Sequence, residues 1–351
     1  MLNHENTKIK NRTDPSLALP LQEREFVNVR KLVLRIFLST FFLQVFLLPD
    51  FAISQENSNT DSLKQLVDSL FIISSAGFVK FADLEGPARK QLIEMKEQSV
   101  PYLIPKLSNR DARDINTIIE LFKGIGEVAT TQLVQALQTD DIWQIRTACR
   151  CLAEIKDKRA VPDLIKVLNH QDYQIRNYAT TALGNTKDTT AFNSVVEILK
   201  DTIEVPRKAA AYALGELNDK RGIPYLISAL SDKHFSVRMV AMESLVKIGK
   251  GAIPSLIQVL DDASDSNITE KPNFYYLAIE ALGKIKEPQV LPVLLDLLKS
   301  PDWTTKGVAV EALGNYNNPK ILVALTNLKK SERHPFVKDK IEKVLEKMGK
   351  S

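Results

Sequence analysis

A chain of 351 residues that is 44% apolar and 26% charged can build a large core and is far from the composition of a disordered protein. Its net charge of +4 reflects 47 basic and 43 acidic groups; the first 54 residues hold 7 and 5 of these, so the remainder is nearly neutral. That balance lacks the basic stripe of a nucleic-acid binder, which excludes nucleic acid as the expected partner, and two cysteines are too few for a disulfide framework.

The N-terminal 31 residues are polar and end in Arg24, Arg30 and Lys31. An apolar run follows at 32–48, broken by Arg35, and then Ala52-Ile53-Ser54 ahead of the polar Gln55-Glu56-Asn57. A basic flank, a short apolar core and small residues before a polar stretch have the form of a secretory signal peptide, cut after Ser54. The uninterrupted run at 36–48 is shorter than the roughly 20 residues of a spanning helix. An uncleaved anchor is the alternative, and it is the one route to membrane contact. The expectation is export, to the periplasm or cell envelope, with the basic flank retained in the cytoplasm. Residues 1–54 read as leader and signal peptide, 55–61 as a polar linker in which Asp61 caps the next helix, and 62–97 as two capping helices at 63–74 and 87–96.

From residue 98 to 350 the chain repeats. A buried stripe ends in Leu121, Leu152, Leu183, Leu214, Leu245, Leu282, Leu313 and Leu345, at intervals of 31, 31, 31, 31, 37, 31 and 32 residues. A second set closes the preceding helix: Leu107, Leu137, Leu168, Leu199, Leu230, Leu260, Leu298 and Leu328. Prolines 101, 162, 224, 254 and 292 open that helix, where a missing N–H removes no hydrogen bond. The long interval contains a polar insertion at 264–272. About eight helical hairpins at this period make an all-α solenoid. Ala179/Ala182, Ala210/Ala213, Ala241/Ser244, Ala278/Ala281 and Ala309/Ala312 let neighbouring hairpins approach, so stability accrues between repeats.

The segments VPDLIKVLNHQDYQIRNYATTALGNTKDTTA (161–191) and IPYLISALSDKHFSVRMVAMESLVKIG (223–249) resemble HEAT repeats, and more narrowly the short type named after phycobilin lyases. Arg176, Arg207 and Arg238 match the helix-start arginine of that type. Arg146 is displaced by one residue, Lys306 substitutes, and Tyr275 departs from the pattern. The resemblance implies that these arginines pair with loop acids of the neighbouring repeat, a structural role. It also admits a subunit of a lyase or chaperone-like enzyme that attaches or positions a prosthetic group.

No catalytic, cofactor or metal constellation stands out in the sequence. Cys149 and Cys151 project to different sides of one helix, and Cys151 aligns with core alanines. The iron-binding His-Glu pairs of HEAT-like deoxyhypusine hydroxylases have one counterpart here, His4-Glu5 in the leader. Two columns suggest binding of a protein or peptide. One, on the second helices that line the concave face of such arrays, gives an apolar island of Tyr212, Met239 and Tyr276 beside Glu243, Glu280 and Glu311. Glu243–Lys247 and Glu280–Lys284 are the competing solvent-face pairs. The other is a loop edge of Trp143, Tyr173, Phe235 and Trp303, rings that can equally cover the start of their own helices. The reading is a non-catalytic, exported scaffold or adaptor with a partner in its groove.

Overall fold

The computed structural model describes residues 56–77, 82–265 and 272–349. The leader, the signal peptide and most of the insertion lie outside them. The chain forms two compact units, one ending at Leu103 and one beginning at Ile104.

The first unit contains α1 (Glu56–Ser75), α2 (Ala82–Glu94) and the single turn α3 (Val100–Leu103). Val67, Leu70, Phe71 and Ser74 of α1 are buried at helical spacing, as are Ala88 and Leu92 of α2, and the two helices pack together. Arg89 Nη2 donates to the Ser74 carbonyl oxygen at the end of α1 (3.0 Å). Two expectations shift. With no Gly or Pro at 55–61, α1 starts at Glu56, so most of the linker is helical and Asp61 lies inside the helix. α2 starts ahead of Pro87, whose missing N–H then forfeits a bond to the first turn alone.

The second unit begins with a 3₁₀ turn (Ile104–Ser108) and α4 (Ala112–Ile125). Seven hairpins follow: α5 (Thr130–Ala136) with α6 (Ile142–Ile155), α7 (Val161–Lys166) with α8 (Tyr173–Thr186), α9 (Phe192–Ile198) with α10 (Glu204–Leu217), α11 (Ile223–Ala229) with α12 (Phe235–Ile248), α13 (Ile253–Asp265) with α14 (Asn273–Ile285), α15 (Leu291–Leu297) with α16 (Trp303–Leu313), and α17 (Pro319–Ser331) with α18 (Pro335–Gly349). Each second helix packs on its own first helix and on the second helices before and after it. All regular elements among the described residues are helices, and the unit is an all-α solenoid.

Local chemistry explains the punctuation. Asp111, Asp141, Asp172 and Asp302 cap α4, α6, α8 and α16 by accepting from first-turn N–H groups. Pro162, Pro224 and Pro292 occupy the first turns of α7, α11 and α15. Lys156, Lys187, Asn218 and Lys286 end α6, α8, α10 and α14 in the left-handed region, at φ of 63°, 54°, 52° and 60°. The stripe leucines from Leu121 to Leu313 are at most 1% exposed, whereas Leu345, in the last described helix, is half-buried.

Close approach of second helices is built on small residues. A Cβ placed on Gly184 of α8 would sit 2.6 Å from the Ala213 Cα of α10, and one on Gly215 would sit 2.5 Å from Ser244 Oγ of α12. Ser244 Oγ in turn donates to the Ala211 carbonyl (2.8 Å). The same position on α12 is Val246. A valine cannot accept that approach, so α12 and α14 cannot meet as α10 and α12 do.

Candidate functional site

A ladder of ion pairs runs along the starts of the second helices. Arg176 donates through Nε and Nη2 to both oxygens of Asp201, at 2.6 and 3.0 Å, and Arg207 does the same to Asp232, at 2.7 and 2.9 Å. In each, Nη1 holds two loop carbonyls of its own repeat. Arg146 pairs with Asp172, and Lys306 with Glu332 (2.5 Å). The pairing that the resemblance implied is therefore present at Arg176 and Arg207, two of the three arginines that match the pattern. The Asp172, Asp201 and Asp232 carboxyls sit below their ordinary pKa even though burial opposes it, because guanidinium and backbone donors favour the charged form. The Lys306 ammonium is the main cause that takes Glu332 down to about 2.

The expected departure at Tyr275 is resolved differently. α14 starts one residue later relative to its leucine, and Tyr276, not Tyr275, takes the rung: its hydroxyl donates to Asp302 Oδ2 (3.2 Å). Burial first, and then the Asp302 charge, push this phenol up to about 12. Tyr275 is a core residue, 3% exposed.

One rung is unfilled. Arg238 of α12 keeps its Nη1 bonds to the carbonyls of Asp232 (2.9 Å) and Lys233 (3.2 Å), but its Nε is buried with no hydrogen-bond partner. The acid would come from the next repeat, whose loop contains the insertion. A buried unpaired donor costs about 1–3 kcal/mol. At this step a cavity of about 590 Å³ opens between α12, α14 and α16. Its wall includes Phe235, Arg238, Tyr276, Leu277, Val308 and Ala312, with Glu280, Glu311 and Lys284 among its charged groups.

The structure thus gathers Tyr276, Glu280, Glu311 and Phe235 around one cavity. Tyr212, Met239 and Glu243 are not in its wall, so the apolar island reduces to Tyr276. Tyr212 is 37% exposed and its hydroxyl donates to Asn185 Oδ1 (2.9 Å). Burial and the nearby Glu216 raise its pKa. Lys247 pairs across repeats with Glu216, which leaves Glu243 exposed instead of in the expected i,i+4 pair. Glu280 does pair with Lys284 (2.8 Å), and Glu311 pairs with Lys340 of α18.

The loop rings divide in the same way. The Trp143 ring lies under the Arg146 and Arg110 guanidinium groups, at 5.2 and 5.8 Å, and Phe235 lies beside Arg238 at 5.6 Å, so both attend their own helix starts. Tyr173 is 38% exposed and accepts from Gln174. Trp303 packs on the following hairpin, stacked on His334 (4.5 Å) and edge-on to Phe336 (5.3 Å). Phe235 alone of the four also lines the cavity. Cys149 and Cys151 are fully buried; burial pushes the Cys149 thiol up to about 12 and raises that of Cys151 as well. Among the described residues no three His, Cys, Asp or Glu side chains are grouped to hold a metal ion, and no helix is long and apolar enough to cross a membrane.

A family model for HEAT repeats matches residues 130–214, 195–271 and 267–346. The chain is a HEAT-repeat protein. No curated protein matches this HEAT-repeat sequence. Among solved structures it is similar to an engineered protein, at 18% identity over 85% of this chain and 97% of that one, with a TM-score of 0.42. It is similar to human deoxyhypusine hydroxylase in complex with glycerol, at 21% identity over 74% and 98%, TM-score 0.32. It is also similar to the complex of CpcE and CpcF of phycocyanin lyase from Nostoc sp. PCC7120, at 20% identity over 71% and 94%, TM-score 0.37. The residues that single out the Arg238 step within the HEAT array were missed in the sequence. The available signals were Val246, at a position that is glycine at 184, 215, 283 and 314, and an insertion where a loop acid belongs.

Proposed function

We propose that this HEAT-repeat protein is a non-catalytic scaffold or adaptor that docks a peptide segment of a protein partner at the cavity between α12, α14 and α16, and that it works outside the cytoplasm. The observation that carries the docking is the convergence of Phe235, Tyr276, Leu277, Val308 and Ala312 with Glu280 and Glu311 in one cavity of about 590 Å³. Rigid aromatic and aliphatic side chains there offer a partner apolar area at small entropic cost, and the charged rim orients it. The leader at 1–54 supports export, and the Arg–acid rungs support the short, phycobilin-lyase type of repeat.

The test is selection from a displayed random-peptide library against the full chain, followed by affinity measurement on the enriched peptides as synthetic amides. Phe235→Ala and Val308→Asp alter exposed or half-buried side chains of the cavity wall and should each weaken binding about tenfold or more. Tyr212→Ala, outside the cavity, should leave it unchanged. Enriched peptides indifferent to the first two substitutions would defeat the proposal.

A further inference from the structure

We infer that the unfilled edge of Arg238 receives the side-chain carboxylate of an aspartate or glutamate on the docked peptide, which completes from outside a rung that the chain leaves open. The inference rests on the docking proposed above and names the chemistry of its ligand. Arg176 and Arg207 show what this edge binds: Nε and Nη2 meet the two oxygens of one carboxylate while Nη1 is held by loop carbonyls. Arg238 has the same helix position and the same Nη1 bonds, so its guanidinium is already oriented, and its Nε is buried without an acceptor. A planar fork held in place selects a bidentate carboxylate.

Counted forward from the leucine that closes the first helix, Asp262 holds the place of Asp201 and Asp232, but it continues α13 and accepts from Gln258 Nε2 (2.7 Å) instead of meeting Arg238. Counted back from the stripe leucine, the acids stand either thirteen residues before it (Asp201, Asp232, Glu332) or eleven (Asp172, Asp302). From Leu282 those positions are Thr269 and Lys271, neither of them acidic. Glu270, between them, lies outside the described residues and is the competitor that the experiment must separate. Arg238 is itself part of the cavity wall, beside Phe235, Leu277 and Val308. The ligand is therefore an acidic residue flanked by an apolar or aromatic one. The cavity carboxylates Glu280 and Glu311 are each tied to a lysine, which leaves the guanidinium as its unmatched charge.

The experiment extends the peptide selection on the full chain. Enriched peptides should carry Asp or Glu next to an apolar side chain. Changing that acid to its amide should cost about tenfold or more with the natural chain, and little with Arg238→Gln. The peptide-side change keeps the result readable whatever Arg238→Gln does to folding. Glu270→Gln should leave affinity as it was. Acid-independent binding that still needs Phe235 would overturn the carboxylate inference and leave the docking intact. Binding indifferent to both Phe235→Ala and Val308→Asp would defeat both. A tenfold gain with Glu270→Gln would show that Glu270 already occupies the edge and would also overturn it.

Discussion

The step from α10 to α12 and the step from α12 to α14 have the same secondary structure and opposite consequences. At the first, Gly215 brings two helices together and Arg207 clamps Asp232, with side chains 8% and 13% exposed. At the second, Val246 stands in the glycine column and Arg238 has no acid, and there the cavity opens. A repeat array makes a site by omission. The two devices that close the steps from α8 to α10 and from α10 to α12 are both absent here, while the leucine stripe that holds the fold continues through it.

The sharpest way to break that contrast is to remove each arginine in turn. Arg207→Ala strands a largely buried Asp232 and should cost about 3–5 kcal/mol in denaturant unfolding, whereas Arg238→Ala should cost under about 1 kcal/mol. An equal cost at both sites would mean that the rung at Arg238 is filled. Gly184→Val forces side-chain atoms onto the Ala213 backbone and should lower stability by roughly 3 kcal/mol, visible as a lower Tm. The acid limb comes next. Glu332 titrates at about 2 when folded against its ordinary 4.5. The folded state holds its proton less tightly than the unfolded one, so this stabilisation is complete above about pH 4.5 and fades as pH falls toward 2. It is on the order of 2 kcal/mol, and Glu332→Gln should flatten that part of the pH–stability curve. The smallest effect is a gain: Lys156→Gly relieves a left-handed φ of 63° and should stabilise by up to about 1 kcal/mol in the same unfolding assay.

Most of the hairpin array is legible in the sequence because a buried stripe with a fixed period has one physical reading. Leu152, Leu183 and Leu214 are buried where spacing alone puts them. The ladder was legible through the matching arginines. Its irregular members were not, since a one-residue shift of α14 after the insertion moves the rung from Tyr275 to Tyr276. The site was half legible. Counting columns selects residues on one face, but Tyr212 and Met239 share that face without sharing a cavity, because the cavity depends on the distance between helices. That distance is set by Gly215 or Val246, side chains that no polarity argument singles out.

The buried cysteines of α6 turn the array into its own gauge. A thiol at 0% exposure, with its pKa pushed up, is nearly inert to alkylating reagents and to oxidants. Cys149 and Cys151 can therefore react only when α6 separates from α5 and α8. The rate at which the unmodified protein consumes a thiol reagent reports how often its middle comes apart, with no probe added.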